Sequence, residues 1–215
     1  MKSFFNLFAE SAKEITGNRM SANLRCLVTT AMLVAVSMAI EALTIPMPFG
    51  KINFAFIAIA AIGMLYGPVI AFLAGGMCDI VGYLAHPDGG FLPIYILIAM
   101  LQGLIYGVIL YRKWGNMYSA EKHSRLFGIN LSEMAVRLIA ARLCDVIVIN
   151  LLLNTAANLH YGFIPAQAFG TAVAVRLTKN ILELFADIPL MLLIMPVVLG
   201  TYSRMSGRYS AGSSD

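Results

Sequence analysis

Of the 215 residues, 60% are hydrophobic and 12% are charged, about half the charged share of an ordinary soluble domain. That balance excludes a soluble globular chain and places the protein in the membrane class. The net charge of +4 does not make a nucleic-acid binder, because Lys and Arg flank apolar runs instead of forming a stripe on a polar domain.

At roughly 20 apolar residues per crossing, the chain supplies five or six spans and little else. Residues 1–20 are expected to form an amphipathic N-terminal helix. Within 3–15, Phe4, Phe5, Leu7, Phe8 and Ile15 alternate with Asn6, Glu10, Lys13 and Glu14, a pattern for a helix lying along the interface or packed on the bundle. Its two glutamates and the lack of a long apolar run argue against a cleavable signal, so the first hydrophobic segment serves as an uncleaved insertion signal.

Span 1 is expected over Asn23 to Ile45, stopped by Pro46, Pro48 and Gly50. The uncharged run from Ile52 to Cys78 is interrupted at Gly67-Pro68, and the spacing predicts two short helices, near 51–66 and 68–85. A Pro/Gly loop follows, then span 4 from Phe91 to Tyr111, ended by Arg112-Lys113. Residues 112–133 form the one long hydrophilic connection. Span 5 runs from Met134 or Arg137 to Ala157, an apolar connection covers 158–175, and span 6 runs from Arg176 to Tyr202. Residues 21–204 thus make one all-α domain, a six-helix transmembrane bundle, and the Gly/Ser-rich 205–215 reads as a disordered tail.

Charge orients the spans. Lys2, Lys13, Arg19 and Arg25 before span 1, Arg112, Lys113, Lys122 and Arg125 in the long connection, and Arg204 and Arg208 after span 6 share one side of a six-span arrangement. The positive-inside rule makes that side, with both termini, cytoplasmic in a multi-pass protein of the cell membrane.

Two constellations stand out. Ala31, Ala35 and Ala39 recur every four residues in span 1 and share a face where another helix can approach closely, either within the bundle or from a partner. The second is polar and gathers near the outer ends of the spans. It includes Glu41, Lys51, Asn53, Asp79 and Tyr83, then Asn154 and Asn158, then Arg176, Lys179, Asn180 and Glu183. Ionisable groups within hydrocarbon are costly unless they pair or line a watered cavity. Arg142 and Asp145, three apart, and Lys179 and Glu183, four apart, are spaced to pair with each other. Arg176 is placed either to grip a ligand carboxylate or to pair with Glu41, Asp187 or lipid headgroups. Aromatic residues on the same side, among them Tyr83, Phe91 and Tyr95, suit either stacking on a flat heterocycle or an interfacial belt.

No GxxxxGK[ST], HExxH or GxSxG pattern occurs, and His86, His123 and His160 are isolated. Cys26, Cys78 and Cys144 show no metal-ligand spacing. No catalytic residue, metal site or covalent cofactor is expected, and any use of ATP falls to a partner.

The segment 63–113 carries a more specific pattern: Gly67-Pro68, Asp79 with Gly82-Tyr83, Pro87 with Gly89-Gly90, Phe91 and Pro93, then Gly103-Leu104-Ile105-Tyr106-Gly107. It resembles the substrate-binding S component of energy-coupling factor (ECF) transporters, folate-type branch. The resemblance extends to residues 21–43 and to Arg176-Leu177-Thr178-Lys179-Asn180. The chain departs from it at Leu92-Pro93-Ile94-Tyr95-Ile96-Leu97, where folate-type proteins typically read Phe/Pro-Gly-Phe-Thr-Leu.

The resemblance implies a six-helix vitamin-binding subunit of the ECF S-component type that captures folate from outside and topples in the lipid bilayer during uptake. Its pocket is closed by loops corresponding to 45–53, 84–92 and 154–175. Its partners are a transmembrane T component, reached through the face of Ala31 and Ala35 with Ala39 as a continuation, and two cytosolic ATPases, which alone use ATP. The residues expected at the substrate are Lys51, Asn53, Asp79, Tyr83, Phe91, Tyr95, Arg176 and Asn180. Asp79 or Asn180 would meet the pterin, and Arg176 or Lys51 the glutamate tail. Alternatives that the residues leave open are an S component for another vitamin, such as pantothenate or a pyridoxine precursor, and a membrane assembly protein without transport.

Overall fold

A computed structural model describes residues 20–42, 45–47, 50–52, 54–85, 92–111, 131–163 and 169–211. The helix expected at 3–15, most of the connection at 112–133, and Asn53 and Phe91 lie outside the described residues.

Six helical rods make the bundle. Helix α1 (Met20–Ala42) leads into a short antiparallel hairpin, β1 (Ile45–Met47) with β2 (Gly50–Ile52), which pairs Ile45 with Ile52 and Met47 with Gly50. Helices α2 (Phe56–Tyr66) and α3 (Pro68–Ala85) follow, then α4 (Pro93–Leu110). The fifth rod is composite: α5 (Leu131–Asp145), a π-helical segment (Val146–Leu153) and α6 (Asn154–His160). Helix α7 (Phe169–Ala211) is the sixth.

The break at Gly67-Pro68 has a simple cause. Gly67 takes φ 89°, a conformation that disfavours any residue with a Cβ, and its N–H caps α2 by donating to the Gly63 carbonyl. Pro68 then opens α3, where its missing N–H costs no helical bond. One residue therefore reverses the chain between two helices.

All eleven residues of α2 are buried. A helix that is hydrophobic on every side belongs inside a bundle, and α2 packs against α1, α3, α4 and α7. Its length is well short of the roughly 20 residues a lipid-facing span requires, so α2 is a core helix walled from lipid by its neighbours.

The most extensive contact is α3 against α4. It is close because glycines face backbone across it. A Cβ at Gly103 would collide with the Ala71 carbonyl, and one at Gly75 with the Ala99 carbonyl. Gly107 approaches Pro68 in the same way, and a Cβ at Gly63 would lie 2.8 Å from the Gly107 nitrogen. Membrane helices associate largely through such small-residue contacts, since lipid is as apolar as leucine.

Among the described residues, four helices are long and apolar enough to cross a bilayer, α1, α3, α4 and α7. They leave large apolar side chains exposed, among them Leu27, Met32, Leu73, Leu84, Phe185 and Leu193, as a lipid-facing surface requires. Several boundaries differ from expectation. Ile45, expected to end span 1, and residues 51–52, expected to open the next helix, belong to the hairpin, and α2 starts only at Phe56. Helix α7 begins at Phe169, not near Arg176, so part of the connection expected over 158–175 is helical. It also continues through Ala211, so helix occupies 205–211 of the stretch expected to be a disordered tail.

The π segment is the other unanticipated feature. Helical dihedrals persist at both junctions, φ −59° and ψ −49° at Asp145 and φ −65° and ψ −35° at Asn154, and the Asn154 N–H bonds the Ile149 carbonyl five residues back. The wider turn holds Asn150 toward the bundle interior, where it lines the cavity described next.

Candidate ligand-binding site

The described residues line a half-open cavity of about 240 Å³ between α1, α2, α3, α4, the fifth rod and α7. Its floor rests on a buried polar cluster. Arg142 on α5 is 4% exposed, Asp145 is 0% and Asp187 on α7 is 1%. Arg142 Nε donates to Asp187 Oδ2 at 3.0 Å, and Nη2 donates to the same oxygen. Arg142 Nη1 donates to Asp145 Oδ2 at 2.6 Å and to the Tyr106 hydroxyl oxygen at 3.3 Å. Tyr106 in turn donates to Asp145 Oδ2 at 3.0 Å, and Gln102 Nε2 donates to it at 3.2 Å. The guanidinium lies over the Phe56 ring, 3.8 Å from its centroid, an arrangement in which ring and cation attract.

This cluster draws α2, α4, α5 and α7 together at one depth. A buried charge survives only when it is paired and its remaining donors are satisfied, and here two carboxylates, a phenol and a ring surround one guanidinium. The pairing of Arg142 with Asp145 matches the expectation from their spacing, while Asp187 is an additional partner from across the bundle.

Above the floor, the walls carry Glu41, Asp79, Lys179 and Glu183. Lys179 Nζ and Glu183 Oε1 are 3.3 Å apart, as their spacing predicts. Both cations on the cavity surface are thus engaged, Arg142 by two aspartates and Lys179 by Glu183. Three carboxylates line the same space, and among the described residues no ion pair forms to Asp79. The electrostatics favour a neutral or cationic ligand end that offers N–H donors, and disfavour burying a ligand carboxylate at the floor.

The expected site residues divide into three groups. Asp79 lines the cavity. Tyr95 and Arg176 are not among the lining residues, but Arg176 adjoins them: Tyr95 donates to Asn158 Oδ1 at 2.7 Å, and Arg176 Nη1 approaches the carbonyl of the cavity-lining Asn150 at 3.5 Å. Asn180 is buried and Tyr83 half-buried, and neither is among the residues lining the cavity. Of Lys51 the backbone alone is described, in β2, and Asn53 and Phe91 lie outside the described residues. The alternative pairing of Arg176 with Asp187 does not occur: the two lie about 16 Å apart along α7 at roughly 1.5 Å per residue, and Asp187 is held by Arg142.

The reading from residues alone left Gln102 and Asn150 out. Each is a lone amide in an otherwise apolar stretch, Ile94–Leu110 and Val146–Leu153. An amide at mid-span is costly against lipid and so points inward, a signal that was present in the chain.

Ala31, Ala35 and Ala39 are all exposed, while Ser37 on the opposite face of α1 is buried and donates to the Ala55 carbonyl at 3.3 Å. The alanine face therefore points away from the described helices of the bundle.

Fold and cavity together define a multi-span membrane protein with a half-open polar cavity. The sequence pattern of the ECF transporter substrate-specific component matches residues 25–198, and the chain belongs to that family.

Among characterised relatives, the folate transporter FolT of Clostridium novyi is 38% identical over 71 residues, covering 33% of this chain and 41% of that protein. FolT of Streptococcus mutans serotype c is 40% identical over 95 residues, covering 42% and 51%. FolT of Leuconostoc mesenteroides is 30% identical over 88 residues, covering 41% and 48%. These matches span about half the length of each relative. A crystal structure of FolT bound with folic acid superposes with a TM-score of 0.57 at 24% identity, covering 82% of this chain and 92% of that one. That likeness establishes the shared fold.

Proposed function

We infer that the chain is the folate-binding subunit of an ATP-driven importer of the cell membrane, with both termini cytoplasmic and no catalysis of its own. The observation that carries this reading is the acid-rich polar cavity at the centre of a bundle whose named relatives are FolT proteins. A pterin presents N–H donors along one edge, the chemistry that Asp79 and the neighbouring carboxylates accept. A volume of about 240 Å³ is below the roughly 300–1,000 Å³ of a pocket for an entire drug-sized ligand. It suits a fused bicyclic head, with the aminobenzoyl-glutamate tail running outward past Tyr95 toward Arg176 and Lys51.

Energy would come from two ATPases through a T component docked on the face of Ala31, Ala35 and Ala39. Small side chains there allow close helix approach. Coupling then rests on contacts that differ between two states of the complex.

Binding of folic acid to the purified protein, followed by titration calorimetry and competition, tests the reading. Saturable folate binding that riboflavin, biotin, thiamine and pantothenate fail to displace is expected. Saturation by one of those vitamins with no competition from folates would overturn it. A protein with an assembly role would show no rise in melting temperature with any vitamin.

A further inference from the structure

The floor of the cavity contains an amide whose orientation the core dictates. Gln102 Nε2 donates to Asp145 Oδ2, an oxygen that also receives Arg142 Nη1 and Tyr106. An ionised carboxylate only accepts, so the nitrogen end of the Gln102 amide is pinned toward α5 and the two ends cannot exchange. Oε1 is the free end: Gln102 lines the cavity, and among the described residues no donor reaches that oxygen.

Arg142 is nearly saturated beside it. Of five guanidinium N–H groups, Nε–H and one on Nη2 go to Asp187, and the two on Nη1 go to Asp145 and Tyr106. One N–H on Nη2 is left, on a side chain that also lines the cavity. Gln102 Nε2 and Arg142 Nη1 bond the same Asp145 oxygen, so the amide and the guanidinium are neighbours on the floor, and Nη2 is the other arm of that guanidinium, held by Asp187.

We propose that Gln102 Oε1 and Arg142 Nη2 read a lactam edge, the first accepting its N–H and the second donating to its C=O. In folic acid that edge is N3–H with C4=O of the pterin. This inference rests on the folate reading above and deepens it by naming the edge that enters first and the residue that selects it. An analogue with an amino group at C4 reverses both contacts. N3 becomes an acceptor facing Gln102 Oε1, and the C4 substituent becomes a donor facing Arg142. Each hydrogen bond turns into a like-to-like opposition, and sites built around buried polar groups reject such partners strongly. Pinning by Asp145 is what prevents the amide from turning over to accommodate it.

Equilibrium binding of folic acid and 4-amino-4-deoxyfolic acid to the purified full chain, wild type and Gln102→Leu, tests the assignment. Wild type is expected to hold folic acid roughly tenfold or more tighter than the amino analogue. Gln102→Leu is expected to shrink that preference to less than about threefold by weakening folic acid selectively, with the ligand-free melting temperature as the folding control. Equal wild-type affinities, or the same fractional loss for both ligands in Gln102→Leu, would overturn the lactam assignment and leave folate binding standing. Binding of neither ligand to wild type would overturn the folate reading and this assignment with it. Should Gln102→Leu fail to fold, the wild-type preference decides alone.

Discussion

Asp187 on α7 holds Arg142 on α5 across the core, one carboxylate oxygen accepting from both Nε and Nη2 of the guanidinium. The pair ties the fifth rod to the last helix at the depth of the cavity floor. Removing one member of a buried pair strands the other, at a cost of about 3–5 kcal/mol. Asp187→Ala is therefore expected to lower stability by that order in detergent unfolding, while Asp187→Asn, which keeps an acceptor, loses less. A loss below about 1 kcal/mol for Asp187→Ala would mean that Arg142 recruits a replacement and that the pair does not fix the two helices.

The α3–α4 seam makes a second prediction with a built-in control. Gly103→Ala puts a methyl into the Ala71 carbonyl, which neither backbone can vacate without separating the helices. Overpacking of this kind typically costs about 1–3 kcal/mol. A Cβ at Gly170, in the first turn of α7, meets nothing within 4 Å. Gly170→Ala is expected to be neutral or slightly stabilising, by up to about 1 kcal/mol through helix propensity. Melting of the two variants side by side separates seam packing from the intrinsic effect of adding a methyl, and equal melting temperatures would remove the seam argument.

The six-rod architecture was legible because its signals are local. Gly67-Pro68 favours two short helices over one tilted span, Arg112-Lys113 closes an apolar run, and Arg142 with Asp145 and Lys179 with Glu183 sit at helical pairing distances. The floor of the site was not, because its geometry is made by neighbours far apart in the chain. Nothing near Arg142 in sequence points to Asp187 forty-five residues on, and only packing across the bundle brings the two together. The π segment had no signature either, since Val146–Leu153 reads as an ordinary apolar helix. It nevertheless carries Asn150, which lines the cavity and offers its carbonyl to Arg176. Gln102 was readable in principle. Its importance comes from the Asp145 contact, which only the fold reveals.

If the exposed alanine face docks the proposed coupling subunit, substitutions there separate binding from transport. Ala31 and Ala35 point away from the cavity, whose α1 residues are Ser37 and Glu41. Ala31→Trp or Ala35→Trp is therefore expected to leave folic acid affinity within about twofold, since surface substitutions away from a site seldom exceed ±0.5 kcal/mol. Either should abolish uptake by keeping the coupling subunit at a distance. Uptake in cells expressing all subunits, set against binding to the solitary protein, measures the two. A parallel loss of both would show that α1 is needed for the chamber itself and is not a docking face.

Arg176 tests how the ligand lies in the site. Among the charged groups lining the inner cavity, Glu41, Asp79 and Glu183 outnumber Arg142 and Lys179, both already paired, so a ligand with a di-anionic tail lowers its energy by keeping that tail away from Asp79 and Glu183 and near a cation outside the lining. Arg176 is half-buried there, with one guanidinium nitrogen 3.5 Å from the Asn150 carbonyl, and its fork suits a carboxylate. A hydrogen bond to a charged group contributes roughly 1.5–3 kcal/mol, or about tenfold to somewhat over a hundredfold in affinity. Arg176→Ala is accordingly expected to weaken folic acid at least tenfold on that scale while changing the affinity of pteroic acid, which lacks the glutamate, much less. Arg176→Lys should recover part of the loss, since charge persists but the planar fork does not. If folic and pteroic acids weaken equally, Arg176 acts on the shape of the rim through Asn150, and the tail must leave the chamber by another route.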